Sequence, residues 1–227
     1  MGTINTIFSF FQNGGPFMWP IGLVLALGLA IGLERFLYLS YAKVSNKLAF
    51  DRILPNLKKK NYREVVTFGQ SSKAPIARVI AAGVARMSQS QRREDIELAM
   101  EEGILEAMPR LERRTPYIAT FANIATLLGL LGTIIGLISA FESVANADPA
   151  EKASQLSSSI SIAMNTTAFG LMSAIPLLLL HAYLQNKTTD IIDGLEMAAV
   201  KCLNMMHRSK GISAQSRATD TNTPPAS

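Results

Sequence analysis

Three long apolar stretches, at 16–39, 116–144 and 160–183, dominate the pattern of hydrophobic and polar positions. Each has about the twenty or more residues that a helix needs to cross a hydrocarbon core of about 30 Å, and charge is nearly absent from all three. Between the first two stretches, the apolar residues of 96–111 recur every three or four positions, which is the spacing of an amphipathic helix. The pattern predicts an all-α membrane protein with three transmembrane helices and long helices that continue outside the membrane.

The basic residues are distributed unevenly around these stretches. No Lys or Arg precedes Leu33, Lys152 is the one basic residue between the second and third stretches, and 35–114 holds most of the others. Basic loops stay on the cytoplasmic side of a membrane. The distribution therefore predicts an outside N-terminus, an inside C-terminus and long helices that extend into a cytoplasmic helical region.

These two patterns together predict how the chain is organised. No basic segment precedes the first stretch and no small-residue cleavage site follows it, so it is predicted to be a retained anchor. The predicted segments are an outer interfacial helix at 1–15, transmembrane helix 1 at 16–39, a cytoplasmic helical region at 40–115, transmembrane helix 2 at 116–144, a periplasmic loop at 145–159, transmembrane helix 3 at 160–183, a cytoplasmic C-terminal helix at 184–208 and a disordered tail at 209–227.

Composition excludes several classes of function. The net charge of +5 could suggest nucleic acid, but the basic block at 35–114 carries few interleaved aromatic residues. Cys202 is the only cysteine, and His181 and His207 stand far apart in sequence, so no disulfide framework and no metal site are predicted. The middles of the spans contain no convergent titratable groups. We therefore predict neither catalytic residues nor a cofactor, and no enzyme activity.

A row of small residues marks the second apolar stretch, within the sequence LLGLLGTIIGLISAF. Gly132, Gly136 and Ala140 recur every four residues, and Gly129 extends the same side by about one turn. Such rows let helix backbones approach closely in a membrane. The row predicts a helix-packing surface, and we expect it to seal a homo-oligomer.

Isolated hydroxyl groups lie near this row. Thr133 repeats Thr126 seven residues on, which places both on one helical face, and the third stretch carries Asn165, Thr166 and Thr167. Two interpretations are open. The hydroxyls either bond to carbonyl groups of their own or a neighbouring helix, or they line a hydrated path through the membrane.

Several motifs resemble the MotA/TolQ/ExbB group. They are PRLER at 109–113, YIAT at 117–120, GLLGTIIG at 129–136, TTAFGL at 166–171 and AIP at 174–176. In this order they resemble the entry helix, second span and third span of ExbB and TolQ proteins, and the match covers most of 92–185. The first span and the tail match in character only.

The resemblance implies a channel subunit of the bacterial inner membrane that converts proton-motive force into mechanical work on envelope components. It implies a homopentamer around two single-span partner helices of the ExbD/TolR/MotB type. Thr133 and Thr167 would face the central channel beside a partner aspartate, with Thr126, Thr166 and Asn165 as further lining residues.

Two departures from the family pattern stand out. Ile162 occupies the position where many ExbB and TolQ proteins carry Glu, and Thr126 the position where many carry Pro. They suggest a divergent member. A sodium-driven channel and a structural membrane scaffold without ion conduction stay open as alternatives, and so do the identity of the partner and of the system that is driven.

Overall fold

The structure is a computed structural model that describes residues 14–90, 92–146 and 148–220. These residues form six helices and no strand: α1 Met18–Lys58, α2 Tyr62–Ser71, α3 Pro75–Gln89, α4 Arg93–Glu112, α5 Thr115–Asn146 and α6 Lys152–Asp220. Three segments, Met18–Lys58, Arg93–Ala145 and Lys152–His207, are long and apolar enough to cross a membrane. The predicted all-α membrane fold with three spans is confirmed.

The ends of the chain differ from the predicted organisation or lie beyond what is described. Most of the predicted interfacial helix at 1–15 lies outside the described residues. Disorder was expected from residue 209, but α6 continues to Asp220. No proline interrupts this segment before Pro224, and extending an existing helix avoids the cost of nucleating a new one.

The chain divides into two compact units. The apolar unit consists of the chain up to Phe36 together with Arg114–Gln185. It contains the second and third apolar stretches and all of the first except residues 37–39. The charged unit consists of Leu37–Arg113 together with the chain from Asn186 onward, and it contains α2, α3 and α4. Each of the long helices α1 and α6 contributes one part to each unit.

Small residues bring the helices of the apolar unit together. A Cβ atom added to Gly28 of α1 would lie 2.7 Å from Leu177 Cδ2 of α6, so this glycine admits a leucine side chain. Ala122 and Ala125 of α5 are completely buried. Large apolar side chains such as Leu179 point outward instead and are exposed, as expected for a surface that faces lipid or other protein chains.

Large apolar side chains fill the charged unit. Ile80 of α3 and Ile96 and Met100 of α4 are almost completely buried. The N-terminus of α3 is capped from another helix, because the Ile76 N–H donates to Asn46 Oδ1 of α1 at 3.2 Å. This bond satisfies one of the amides that every helix leaves unpaired at its N-terminus.

A break separates α4 from α5. Pro109 is tolerated inside α4, and Pro116 falls in the first turn of α5, where a missing N–H costs little. Between them Arg114 adopts a φ of 67°, which is uncommon for a residue other than glycine. Its Nη1 donates to Glu34 Oε2 at 3.0 Å, which ties the start of α5 to α1 within the apolar unit.

Candidate channel-lining site

The glycine row of α5 lies directly against α6. A Cβ atom at Gly129 would lie 3.2 Å from Gly170 Cα, and one at Gly136 would lie 2.8 Å from Ala163 Cβ. A Cβ atom at Gly132 would collide with the Thr166 methyl group. The two helices therefore pack almost backbone to backbone, as small residues allow.

This contact corrects one expectation about the row. The predicted packing partner was a second copy of the chain, but α6 of the same chain fills the space beside the three glycines. Ala140, the last member of the row, is also completely buried within the single chain. A row of small residues predicts that some helix approaches closely, but it does not identify that helix.

Gly170 completes this contact and was not singled out by the sequence. A Cβ atom at Gly170 would lie 2.8 Å from Ala125 O and 3.0 Å from Gly129 Cα, so both neighbours are backbone atoms. The available signal was the spacing of Ala163, Thr166 and Gly170, which recur at three and four residues along one side of α6.

Thr167 and Thr133 meet the same carbonyl group of α5. Thr167 Oγ1 donates across the helix contact to Gly129 O at 2.8 Å. Helix geometry directs the Thr133 N–H to that same carbonyl, because the residues are four apart in α5. The two threonines predicted to share a lining therefore lie at one level of the apolar unit.

The hydroxyl protons on α5 are used within that helix. Thr133 Oγ1 donates to Leu130 O at 2.6 Å, and Thr126 Oγ1 donates to Ala122 O at 3.2 Å. The Thr126 side chain is exposed and that of Thr133 is partly exposed. Each oxygen keeps lone pairs that can accept a further hydrogen bond.

Thr166 is placed differently from its neighbour. It is 2% exposed, and its Oγ1 lies 2.6 Å from Gly14 O and 3.0 Å from Ile162 O. Its single proton can serve one of these carbonyls at a time. Because its methyl group also contacts Gly132, Thr166 is a packing residue within this chain.

Asn165 does not converge with Thr167. The two residues are separated by two positions of a continuous helix, which is about 200° of rotation, so their side chains project from nearly opposite sides of α6. Asn165 is half-buried. Among the five predicted lining residues, the structure brings Thr133 and Thr167 together and separates Asn165 from them.

The centres of the apolar stretches contain no titratable side chain. Residues 18–33, 116–141 and 160–180 include no Asp, Glu, His, Lys or Arg. Glu142 and His181 stand just beyond these limits, and their side chains are exposed and half-buried, respectively. Among the described residues, no group of three or more His, Cys, Asp or Glu side chains could hold a metal ion.

Cys202 lies in the charged unit and is completely buried. Burial raises the pKa of its thiol to about 12, against an opposing effect of the Lys201 charge. At neutral pH the group is therefore a protonated thiol, which is a poor nucleophile. Its role is to pack against its neighbours in the core.

Comparison with known proteins identifies a family. The family model described as the MotA/TolQ/ExbB proton channel family matches residues 71–197. A putative biopolymer transport protein ExbB homolog of Methanothermobacter thermautotrophicus is 28% identical over 195 residues, which cover 85% of this chain and 68% of that protein. The biopolymer transport protein exbB1 of Vibrio cholerae is 28% identical and covers 73% of each chain. The Tol-Pal system protein TolQ of Haemophilus influenzae is 31% identical over 41% of this chain and 40% of its own length.

Proposed function

Because the chain belongs to the MotA/TolQ/ExbB proton channel family, we propose that it is the ion-channel (stator) subunit of an inner-membrane motor. This motor converts proton-motive force into mechanical work on envelope components. The observation that carries the proposal is the pair Thr133 and Thr167, which meet at the Gly129 carbonyl in a unit without central titratable groups. The names of the relatives, which refer to biopolymer transport and the Tol-Pal system, support the same class of task.

A second protein must supply the group that carries the proton. A proton that crosses a hydrocarbon core has to pause on a side chain that binds and releases it, and the central parts of the three spans, 18–33, 116–141 and 160–180, contain no Asp, Glu, His, Lys or Arg. The proposed source is an aspartate on a single-span partner of the ExbD/TolR/MotB type. Two such helices would stand within a ring of five copies of this chain.

The hydroxyls of Thr133 and Thr167 can respond to the charge of that aspartate. When the carboxyl group is protonated, a threonine oxygen accepts its hydrogen bond and keeps its own bond to Leu130 O or Gly129 O. When the carboxylate is charged, the hydroxyl rotates and donates to it. Giving up the intrachain bond costs about 1 kcal/mol, which is less than the several kcal/mol of leaving a carboxylate unsolvated in a low-dielectric site.

The position of the other oxygen atoms favours protons over sodium. A sodium site in the third span would need several oxygen ligands that converge. Thr166 is buried with its hydroxyl between two carbonyl groups, and Asn165 projects from the side of α6 opposite to Thr167.

The proposed N-terminus is periplasmic and the proposed C-terminus cytoplasmic, following the distribution of basic residues.

A structural scaffold without conduction is the competing function. It is favoured by one observation: the hydroxyl protons of Thr133, Thr167 and Thr126 are all satisfied inside the chain. A scaffold needs no partner aspartate, and replacing these hydroxyls would leave its task unchanged. The two functions therefore differ in what they require of Thr133 and Thr167.

The deciding experiment is the Thr133→Val, Thr167→Val double variant, reconstituted with a candidate single-span partner in liposomes that report proton flux. Valine keeps the shape and removes the hydroxyl, so we expect at least about a tenfold loss of flux with normal ring formation and partner binding. The double Ser variant keeps both hydroxyls and should retain flux. Thr120→Val, on an exposed α5 residue whose hydroxyl bonds to Pro116 O, is the matched control. Full flux in the double Val variant would support the scaffold.

A further inference from the structure

The outward face of α4 carries an excess of negative charge. Within the described residues, Glu94 forms an ion pair with Arg92, whereas Glu97 and Glu101 have no cation within 4 Å. Leu98 and Leu105 lie on the same face and are about 60% exposed. Because these two leucines are seven residues apart, their side chains point the same way. Glu97, Glu101 and Leu105 also line a cavity of about 350 Å³ beside Glu196 and Val200 of α6 in the same chain. No basic side chain is among the described residues that line this cavity, so this acidic leucine face finds no opposite charge there.

A groove of the opposite charge lies between α1 and α6 in the charged unit. Lys43, Lys47 and Lys201 line a cavity of about 390 Å³ whose walls include Leu195. Lys43 forms an ion pair with Asp190 at 3.5 Å. In the described part of the chain, no carboxylate lies within 4 Å of Lys47 or Lys201, so the groove keeps a positive excess.

Gly194 also lines this groove, and no close contact within its own chain requires a glycine at this position. A Cβ atom added there would meet no heavy atom within 4 Å. Glycine inside a helix is less favourable than alanine, so a glycine without a close neighbour destabilises α6 for no internal gain. A side chain that enters the groove from another molecule would use the space. Gly194 is thus an observation independent of the lysines.

We propose that this basic groove binds the acidic leucine face of α4 from a second copy of the chain. Leu98 or Leu105 enters beside Gly194, and the glutamates of α4 face Lys47 and Lys201. Met197 of α6, which also lines the groove and is 70% exposed, extends the apolar part of the contact. Charge complementarity favours this occupant, because the groove carries an excess of positive charge and the acidic leucine face carries an excess of negative charge.

The contact joins two different surfaces of the same chain. Such a heterologous contact repeats from copy to copy and closes into a ring when the rotation between neighbours permits it. The inference rests on the ring in the proposed function and adds the residues that hold the ring together in the charged unit. The glycine row of α5 is already occupied by α6 and does not compete for this role.

The test is a charge exchange followed by native mass spectrometry of the full chain in mild detergent. Lys201→Glu and Glu101→Lys each place like charges together, so each should lower the ratio of ring to monomer by at least about tenfold. The double variant should recover to within about threefold of the original ratio, because the pair is restored with its signs reversed. Lys58→Glu, which makes the same charge change at the end of α1 and outside the groove, should leave the ring intact.

Gly194→Leu provides a second, charge-independent test. The added side chain has free space in its own chain, so helix content measured by circular dichroism should be unchanged, while the filled groove rejects its neighbour and the ring is lost. A ring that persists in all of these variants would overturn the interface and leave the proposed channel standing. A ring that persists while Lys201→Glu abolishes binding of phosphatidylglycerol would assign the groove to lipid. A native chain that is monomeric would instead contradict the ring in the proposed function.

Discussion

The two units use glycine in opposite ways. In the apolar unit, Gly129 and Gly170 bring two helix backbones into contact, with the added Cβ of Gly170 only 2.8 Å from Ala125 O. In the charged unit, Gly194 faces open space. Lipid is as apolar as a leucine side chain, so helices in a membrane gain little by burying leucine and depend on close contact instead. Water makes large apolar cores effective, and Ile80 and Met100 form such a core in the charged unit.

The two units also differ in the polar groups that connect their helices. In the apolar unit, the Thr167 hydroxyl donates a hydrogen bond to a backbone carbonyl of another helix, Gly129 O. The charged unit instead uses a side-chain amide, with Asn46 capping the start of α3, and an ion pair between Lys43 and Asp190. The central parts of the helices proposed to conduct, 18–33, 116–141 and 160–180, therefore contain only uncharged polar groups. The ion pair of the apolar unit, between Arg114 and Glu34, lies outside these ranges, and the charges proposed for recognition lie in the charged unit.

The largest expected effect comes from filling the backbone contact of the apolar unit. Gly170→Leu places a side chain against Ala125 O, which cannot move without bending α5, so we expect a destabilisation of about 3 kcal/mol or more. The free energy of unfolding in detergent micelles measures it. Ala168→Leu, an exposed position two residues earlier on the same helix, should be nearly neutral. Equal stability of the two variants would contradict the placement of α5 on α6.

The corresponding change in the charged unit removes a side chain. Met100 is 2% exposed and packs over Gly83, so Met100→Ala leaves a cavity and should cost about 2–5 kcal/mol in the same unfolding measurement. Gly83→Ala in that background should recover part of the loss, because its new methyl group enters the vacated space. Leu48→Ala, at an exposed apolar residue of α1, serves as the control and should change little. A neutral Met100→Ala would show that this core is not tightly packed.

The length of the apolar stretches determined much of what the sequence could predict. Span number follows from hydropathy alone, because in a membrane a helix satisfies its own backbone groups whatever its neighbours are. The family followed from motifs such as GLLGTIIG at 129–136, and the match of the family model to 71–197 confirms it. Neither inference needed knowledge of which helices touch.

The predictions that were wrong, and the features that the sequence did not indicate, depend on contacts between residues that are distant in sequence. The row of Gly132 and Gly136 announced a close helix contact, but only the fold shows that Ala163 and Thr166 fill it. The fold also shows that Thr166 is buried within the chain and that Gly170 belongs to the helix contact. Asn46 gave no local signal for its cap on α3, since Ile76 is thirty residues away. Tertiary partners of this kind cannot be read from helical spacing.

The smallest expected effect concerns Ser173, whose buried hydroxyl can be compared with the bonded hydroxyl of Thr167. Its side chain is in the apolar unit and only 1% exposed, and its Oγ has no hydrogen-bond partner among the described residues. An unsatisfied buried hydroxyl carries a desolvation cost, so Ser173→Ala should be neutral or stabilising by up to about 1 kcal/mol. Thr167→Val is the matched loss of a bonded hydroxyl and should destabilise by about 1 kcal/mol, because Gly129 O loses its donor from α6.

Both variants are measured as the detergent-dissociated chain and again in the assembled ring. In the dissociated chain, where each hydroxyl has only the partners described above, Ser173→Ala should leave the free energy of unfolding unchanged or raise it, whereas Thr167→Val should lower it. If Ser173→Ala destabilises the ring by more than about 0.5 kcal/mol and leaves the dissociated chain unaffected, then another chain supplies the missing partner. Ser173 would then join Thr133 and Thr167 as a hydroxyl that serves the assembly. If Ser173→Ala destabilises the dissociated chain as well, the hydroxyl is bonded within the chain and the contrast with Thr167 fails.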